Sequence, residues 1–305
     1  MIVVAGEALV DVILRPDGTI AAVPGGGPYN AARAIGRLGL PVAWIGGLSS
    51  DRFGRELEAG LAADGVALDL VQRTDLPTTL ALAELDAAGA AAYRFYTEGT
   101  SAPAVLPVAQ AALPTGTRAV HAGTLGFVLE PMASTLEKVI WALPADVLLL
   151  VDPNCRPSIT EDADAYRARM ARILPRADVV KVSTDDLAFL VPGADPLAAA
   201  RWIASLGVRA VLLTDGDGPV RVLVDDEVTI VEVPRVEVVD TVGAGDTLGG
   251  AALAALVHAG ATRATLDGPG VFSATRFGVR AASMACTRAG ADPPTLQELG
   301  GWPTT

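Results

Sequence analysis

The hydrophobic positions of the chain fall into two alternating patterns. Short, nearly continuous apolar runs are typical of strands buried on both faces, and they predict strands at Ile2–Ala5, Val42–Ile45, Ala119–His121, Val147–Val151, Val179–Val182 and Ala210–Thr214. Apolar residues at three- and four-residue spacing predict helices at Tyr29–Leu38, Arg52–Ala63, Pro131–Leu143, Ala163–Leu174, Pro196–Leu206, Asp246–His258 and Val271–Cys286. Strands that alternate with helices indicate an α/β fold, with a doubly wound, mostly parallel sheet flanked by helices.

Two stretches interrupt this alternation. Residues 11–24 contain a short strand and a turn at Arg15–Gly18, and residues 79–97 have the pattern of a hairpin whose turn is Asp86–Gly89. Together they predict a small β layer, which either covers a site as a lid or forms an edge hairpin without a role. Because no internal repeat or long linker divides the chain, we expect a single domain over residues 1–305.

The composition excludes several classes of function. The chain has 305 residues, of which 51% are hydrophobic, and a net charge of −12 without a basic run, so nucleic acid and anionic membranes are poor partners. No apolar run has membrane-spanning length and the first residues lack a basic leader, so we expect neither a membrane span nor a signal peptide. The cysteines, Cys155 and Cys286, are isolated, which argues against a disulfide scaffold or a thiolate metal site and favours the cytoplasm.

The segment Asp240–Asp246, with the sequence Asp-Thr-Val-Gly-Ala-Gly-Asp, combines a turn of small residues with a helix start. Valine-rich runs at 228–233 and 236–239 predict a strand before it. The main-chain N–H groups of residues 243–245 would then lie at a helix N-terminus, where they lack intrahelical partners and attract an anion such as phosphate. Asp246 beside such a site is suited to act as a general base; the alternative is an ordinary turn in which Asp246 caps the helix.

Further glycine and polar residues follow the carboxyl ends of predicted strands. The cluster Gly25–Asn30 permits close backbone approach and offers an amide side chain. Arginine, as at Arg156, is a good clamp for phosphate or carboxylate. Each segment alone could be an ordinary turn. Because ligands of doubly wound sheets bind beyond the strand ends, we expect one crevice to collect Asp11, Gly26, Gly27, Asn30, Asn154, Arg156, Ser183, Asp186, Thr214, Gly216 and Gly218.

Several well-known motifs are absent from the sequence. No GxxxxGK[ST] occurs, which excludes a P-loop, and the GxGxxG pattern fails because Asn30 and Leu248 stand at the third glycine positions. His121 and His258 lie far apart without an HExxH, so neither a histidine metal site nor a Ser-His triad is indicated. The residues alone leave open a phosphoryl transferase, a Rossmann-like oxidoreductase and a sugar- or nucleotide-binding protein without catalysis.

The two glycine-containing segments resemble the signature motifs of a known enzyme family. Asp240–Asp246 with the following Thr247–Ala251 is similar to the C-terminal signature of the ribokinase-like (PfkB) carbohydrate kinases, and Gly25–Asn30 is similar to their N-terminal signature. The resemblance covers essentially the whole chain. It implies that Asp246 takes the proton from a sugar hydroxyl and that the transferred γ-phosphoryl group of ATP is held by the N–H groups of Gly243, Ala244 and Gly245.

The same resemblance implies roles for the other candidates. The sugar would be held by Asp11, Gly26, Gly27, Asn30, Asn154 and Arg156. The nucleotide would be contacted by Ser183, Asp186, Thr214, Gly216 and Gly218, with adenine flanked by Arg276–Arg288. Asp186 stands where the family usually has a glutamate that organises the Mg²⁺ water shell, and Asp240 with the turn near Gly290 matches a monovalent-cation (K⁺) site of some members. Lids in this family often pair, which implies a homodimer.

The resemblance also bears on the sugar. The segments around Asp11, His121 and Asn154 are most similar to those of bacterial fructokinases, which predicts the conversion of fructose to fructose 6-phosphate. Kinases for 2-keto-3-deoxygluconate share the Asp-Pro-Asn-x-Arg pattern, and ribose or nucleosides are further alternatives. Thr97 stands where both groups commonly have an arginine, which argues against an acidic sugar. We therefore expect an ATP- and Mg²⁺-dependent sugar kinase with fructose as the first choice.

Overall fold

Strands and helices follow one another largely as predicted. A computed structural model describes residues 1–86, 91–105 and 113–303, so residues 87–89 of the predicted hairpin turn lie outside the described chain. The strands are β1 (Ile2–Ala5), β2 (Leu9–Leu14), β3 (Ile20–Gly25), β4 (Val42–Ser49), β5 (Val66–Ala67), β6 (Val71–Thr74), β7 (Leu80–Leu85), β8 (Ala91–Tyr96), β9 (Ala119–Gly123), β10 (Leu148–Asp152), β11 (Val179–Ser183), β12 (Ala210–Thr214), β13 (Val220–Val224) and β14 (Glu227–Val231). The helices are α1 (Gly27–Arg37), α2 (Arg52–Ala63), α3 (Met132–Trp141), α4 (Ala163–Ile173), α5 (Thr184–Leu190), α6 (Pro196–Ser205), α7 (Ala244–His258) and α8 (Gly268–Ala285).

Side-chain caps explain where many of the helices begin. The first-turn N–H groups of α2, α4, α6 and α8 donate to the carboxylates of Asp51, Asp162, Asp195 and Asp267, and such a cap contributes about 1 kcal/mol. Helix α5, which we did not predict, is capped reciprocally by Ser183 and Asp186. Its 7 residues are too few to display a helical period. Among the described helices, none is both long and apolar enough to cross a membrane.

The large sheet has the strand order β14-β13-β12-β11-β10-β9-β1-β4-β5, and β6 also pairs with β4. Neighbouring strands are parallel except in the pairs β12–β13 and β13–β14 at one edge, which are antiparallel. Alternate residues of β1 point to opposite faces: Ile2 and Val4 pack in the core with α1, α2, α7 and α8, whereas Val3 and Ala5 pack with α3, α4 and α6. Helices thus cover both faces, which confirms the predicted doubly wound α/β fold.

A second, four-stranded sheet is built from the two stretches that interrupt the alternation. Its order is β3-β2-β7-β8; β2 and β7 are parallel, and both outer pairs are antiparallel. The chain enters this small sheet through residues 6–8, directly after β1, and returns from β3 to α1 through Gly26. Short connections therefore join the small sheet to β1 and α1 at the carboxyl end of β1.

Of the two valine-rich runs that predicted a strand before α7, the run 228–233 largely forms β14, whereas the run 236–239 does not form a strand. Regular pairing ends with β14, and residues 232–243 run outside the sheets. The N–H groups of Val239 and Asp240 donate instead to the carbonyl of Cys286, just after α8. A valine-rich run forms a strand only where a neighbouring edge offers hydrogen bonds and side-chain contacts. Val238 and Val239 are exposed. Within the described chain this run pairs with no strand, and it borders the candidate site as a loop.

Candidate active site

The N-terminus of α7 opens into a cavity of about 410 Å³. The helix begins at Ala244 after Gly243, whose φ of 75° lies in the left-handed region that favours glycine, and no side chain caps it. Within the described residues we find no acceptor for the main-chain N–H of Gly243, Gly245 or Asp246, whereas the Ala244 N–H donates to the Thr241 carbonyl at 3.2 Å. Unpaired donors at a helix N-terminus form a site for an anion.

Asp246 lies in the first turn of α7 and lines the same cavity. Its Oδ2 accepts a hydrogen bond from Asn30 Nδ2 at 2.9 Å, and its Oδ1 lies 3.5 Å from Asn154 Nδ2. Burial raises the pKa of Asp246, against the opposing effects of the Asn30 hydrogen bond and the charges of Lys181 and Arg156. A carboxylate with a raised pKa is a stronger proton acceptor, as a general base requires.

Both sheets contribute to the walls of the cavity. The small sheet supplies Leu9, Asp11, Tyr93 and Phe95. Of the residues that we predicted, the cavity brings together Asp11, Gly26, Gly27, Asn30, Asn154, Arg156, Gly243, Ala244, Gly245 and Asp246. Burial raises the pKa of Asp11 to about 6, with a further contribution from Asp246. The cavity thus combines carboxylates and amides with an anion site, a combination suited to a ligand that carries hydroxyl groups.

Arg156 does not extend freely into the cavity as a clamp. Its Nη1 donates to the main-chain carbonyls of Asn154 and Cys155 and to Asn154 Oδ1, at 3.0, 3.1 and 2.6 Å. The guanidinium therefore braces the loop after β10, in which Asn154 has a φ of 38°. Asparagine tolerates this left-handed conformation better than most residues, and the brace fixes its side chain near Asp246.

Comparisons with known proteins decide the family. Residues 1–298 match the pfkB family of carbohydrate kinases. The chain belongs to this family. It is 35% identical over 262 residues to a fructokinase from Rhizobium leguminosarum bv. trifolii, covering 84% of this chain and 79% of that protein, and 29% identical over 300 residues to a fructokinase from Vibrio alginolyticus, covering 97% and 96%. A crystal structure of fructokinase with bound ATP from Xylella fastidiosa matches with a TM-score of 0.88 at 29% identity, covering 98% of this chain and 96% of that one. The protein is therefore a carbohydrate kinase, and the oxidoreductase alternative is excluded.

The kinase has a buried lysine, Lys181, beneath the N-terminus of α7. The sequence analysis assigned no role to this residue. Lys181 on β11 is 4% exposed, lines the cavity, and its Nζ donates to both carboxylate oxygens of Asp152 at 3.1 and 3.3 Å. A Cβ on Gly245 would lie 2.8 Å from this Nζ, so the glycine lets the ammonium approach the helix start. Burial lowers the pKa of Lys181, but Asp152, Asp186 and Asp246 outweigh it and the net shift is upward. A lysine inside the apolar run 179–182 was the available signal.

The small sheet also contributes aromatic residues that we did not predict for the kinase. Tyr93 and Phe95 lie two positions apart on β8, so their side chains share one face of the strand. Their rings stack with centroids 6.2 Å apart, and both line the cavity. Period-two spacing in the predicted hairpin could have indicated this apolar wall.

The nucleotide candidates lie at the same edge of the large sheet, beside the cavity rather than in its lining. Ser183 and Thr214 are paired across β11 and β12, and the turn after β12 contains Gly216, with a φ of 57°, and Gly218. The structure thus brings these candidates together at neighbouring strand ends, separately from those around Asp246.

The carboxylate of Asp186 links the loop after β10 to the start of α5. One carboxylate oxygen accepts from Cys155 N at 2.6 Å, and the other accepts from the N–H and the hydroxyl of Ser183, both at 2.8 Å. The residue is 4% exposed, so this conformation does not offer a free carboxylate to a Mg²⁺ water shell. No cluster of three or more metal-ligating side chains occurs in the described part of the chain. The Mg²⁺ role of Asp186 stays a prediction, and its present contacts do not fit it.

Asp240 joins the two turns that we predicted for a monovalent-cation site. Its carboxylate accepts from the N–H groups of Val242 at 3.0 Å and Gly290 at 2.8 Å. These bonds fix the loop before α7 to the turn after α8. The cation role of Asp240 is a prediction that the geometry leaves untested.

Proposed function

We propose that this kinase transfers the γ-phosphoryl group of ATP to the primary hydroxyl of fructose that gives fructose 6-phosphate. The observation that carries the proposal is Asp246 in a cavity beside the unpaired N–H groups of α7. The choice of fructose is supported by relatives named fructokinases that match most of the chain. As further support, the family match spans residues 1–298, which favours one catalytic domain.

In the proposed reaction Asp246 accepts the proton of the sugar hydroxyl as that oxygen attacks the γ-phosphorus. The new oxygen–phosphorus bond forms while the bond to the β–γ bridging oxygen breaks, and ADP leaves. The N–H groups of Gly243, Gly245 and Asp246 would neutralise charge on the transferred group. Ala244, which we expected to share this role, donates its N–H to the Thr241 carbonyl instead. The sugar is oriented by Asp11, Gly26, Gly27, Asn30 and Asn154.

Lys181 adds positive charge to this arrangement. Its ammonium lies beneath Gly245 and lines the cavity. In a buried site of low effective dielectric, a fixed cation stabilises developing negative charge more strongly than it would in water. We assign Lys181 to the electrostatic stabilisation of the transferred phosphoryl group, with Asp152 holding the ammonium in place.

In the proposed complex, ATP and its cations would bind beside the sugar cavity. Ser183, Thr214, Gly216 and Gly218 would contact the nucleotide, and the exposed valines of residues 232–243 would border adenine beside Arg276–Arg288. Mg²⁺ commonly binds through substrate phosphates and keeps several waters, so it would arrive with ATP. K⁺ would bind at the Asp240–Gly290 junction.

The small sheet would act as the lid and as the dimer surface. It lines the cavity from one side, and Ile20 and Tyr96, which lie on its other face, are exposed large apolar side chains, which supports pairing with a second copy. Cys155 and Cys286 are free thiols, in keeping with a reducing cytoplasm, where we place the enzyme.

A substrate panel tests the proposed function. Release of ADP should be measured with fructose, 2-keto-3-deoxygluconate, ribose and nucleosides at saturating ATP. We expect the highest kcat/KM for fructose and a 6-phosphate product by NMR. A higher kcat/KM for another acceptor would replace fructose in the proposal, and absence of transfer to every sugar would contradict it.

The pH dependence provides a second test. Asp246 must be ionised to accept a proton, and burial raises its pKa. Activity should therefore fall on the acid side at a pH above the ordinary aspartate value of about 4, as kcat/KM for the sugar measured from pH 4 to 8 would reveal. An acid limb at or below the ordinary value would contradict the assignment of Asp246 as the base.

A further inference from the structure

The segment that leads from the large sheet into the small one contains a buried carboxylate without an assigned role. Glu7 follows β1, is 0% exposed and lines the cavity. Burial of a charged or polar group is unfavourable unless hydrogen bonds compensate it. Here Oε1 accepts from the N–H of Gly27 at 3.1 Å, and Oε2 accepts from the N–H of Gly126 at 3.2 Å. One side chain thus holds together two main-chain segments, at Gly27 and Gly126, that are far apart in the sequence.

The first of these segments supports Asp246 from the side of α1. Gly27 is the first residue of that helix. One turn later Asn30 donates through Nδ2 to Asp246 Oδ2 at 2.9 Å. Because a helix turn moves as a rigid unit, the bond from Glu7 to the Gly27 N–H fixes where the Asn30 amide meets Asp246.

The second segment supports Asp246 from the opposite side. Gly126 lies in a short 3-10 helix, Thr124–Phe127, whose first residue has a φ of 55°. A β-branched residue in this left-handed region is strained by about 1–3 kcal/mol and persists only when its surroundings hold it. Thr124 Oγ1 accepts from Asn154 Nδ2 at 3.5 Å, and the same Nδ2 lies 3.5 Å from Asp246 Oδ1.

We propose that Glu7 is a positioning residue for the phosphoryl transfer: its carboxyl group fixes both the Asn30 support and the Thr124–Asn154 support of Asp246. The inference rests on the proposed function, since it takes Asp246 as the base. Glu7 does not touch the reacting atoms in this role. It sets the direction of the Asp246 carboxylate toward the acceptor hydroxyl, at the point where the lid joins the large sheet.

The variant Glu7→Gln tests the proposal, because its single carbonyl oxygen can accept from only one of the two N–H groups while its NH₂ opposes the other. We expect kcat to fall by up to about 10²-fold, the scale of a 1 Å misplacement of a reacting group. The KM for the sugar should rise, because Gly27 and Thr124 also line the sugar cavity, while the KM for ATP should stay unchanged. A purely structural loss lowers the active fraction and moves neither KM.

Asp178→Asn is the matched control. Asp178 is also 0% exposed and accepts from a main-chain N–H, that of Leu149, and from Arg263. It precedes β11, at the opposite end of the strand from the cavity. This control should lose stability while its kcat per folded molecule and both KM values stay normal. If Glu7→Gln lost activity only in proportion to its folded fraction, as this control would, the proposal would be overturned.

Thr124→Val keeps the test decisive if Glu7→Gln does not fold. Valine preserves the shape and the β-branch but removes the acceptor for Asn154 Nδ2. We expect a lower kcat with an unchanged KM for ATP; a wild-type kcat would overturn the proposed route through Thr124. Failure of this inference is distinct from failure of the proposed function, because the wild-type enzyme on the same sugar reports the latter.

Discussion

Asp246→Asn should give a folded protein with almost no kinase activity. Asparagine has the same shape and can still accept the hydrogen bond from Asn30, but it cannot take a proton from the sugar. Loss of a general base lowers the rate by about 10²–10⁴-fold. The fall should lie in kcat, measured as ADP release with saturating fructose and ATP, with KM values close to those of the wild type.

The stability of the same variant shows whether the fold or the chemistry has been damaged. Burial raises the pKa of Asp246, so the folded state holds this proton more tightly than the unfolded state does. The contribution of Asp246 to the free energy of unfolding therefore falls as pH rises from about 4 through the raised value. Asparagine has no such dependence, so Tm should be higher than that of the wild type at pH 8 and equal to it near pH 4. Near-normal turnover by Asp246→Asn would end the assignment of the base.

Lys181→Met should also cause a large loss of activity. The variant removes the buried cation beneath Gly245, and loss of one electrostatic donor to a transition state typically costs about 10²–10³-fold in kcat. Because Lys181 lowers the pKa of Asp246, the acid limb of the kcat/KM profile should move to higher pH. Steady-state kinetics from pH 4 to 9 measures both effects.

The double variant Lys181→Met with Asp152→Asn distinguishes a loss of catalysis from a loss of stability. Lys181→Met leaves Asp152 buried without its partner, and breaking a buried pair in this way destabilises a protein by about 3–5 kcal/mol. Adding Asp152→Asn removes the stranded charge, so the double variant should regain much of the lost Tm and remain nearly inactive. Recovery of wild-type kcat in the double variant would show that Lys181 serves the fold and not the reaction.

The sequence predicted the parts of the fold that depend on local pattern. Continuous apolar runs such as Val147–Val151 identified the buried strands because a parallel sheet needs apolar side chains on both faces. The valines at 236–239 have the same local preference, yet they stay outside the sheets. Whether a run with strand propensity finds an edge to pair with is decided by tertiary structure, which the single sequence does not contain.

The site was predictable where a motif carries its own geometry. The small residues before Asp246 define a helix start, and the structure places it beside a cavity. Glu7 carries no such local signature, and the apolar run around Lys181 marks that residue as unusual without giving its role. Both matter because residues distant in sequence, Gly126 and Gly245, lie next to them in space. The Asp186 contacts were hidden for the same reason, since Cys155 N comes from a different strand end.

The division of the cavity between two sheets has an evolutionary consequence. Leu9, Asp11, Tyr93 and Phe95 come from the small sheet, whereas Asp246 and the α7 amides belong to a helix that packs on the large one. Substitutions on the small sheet can therefore alter one wall of the cavity while Asp246 and the α7 amides stay unchanged. We expect new sugar preferences to arise through changes on β2 and β8, with the transfer chemistry inherited.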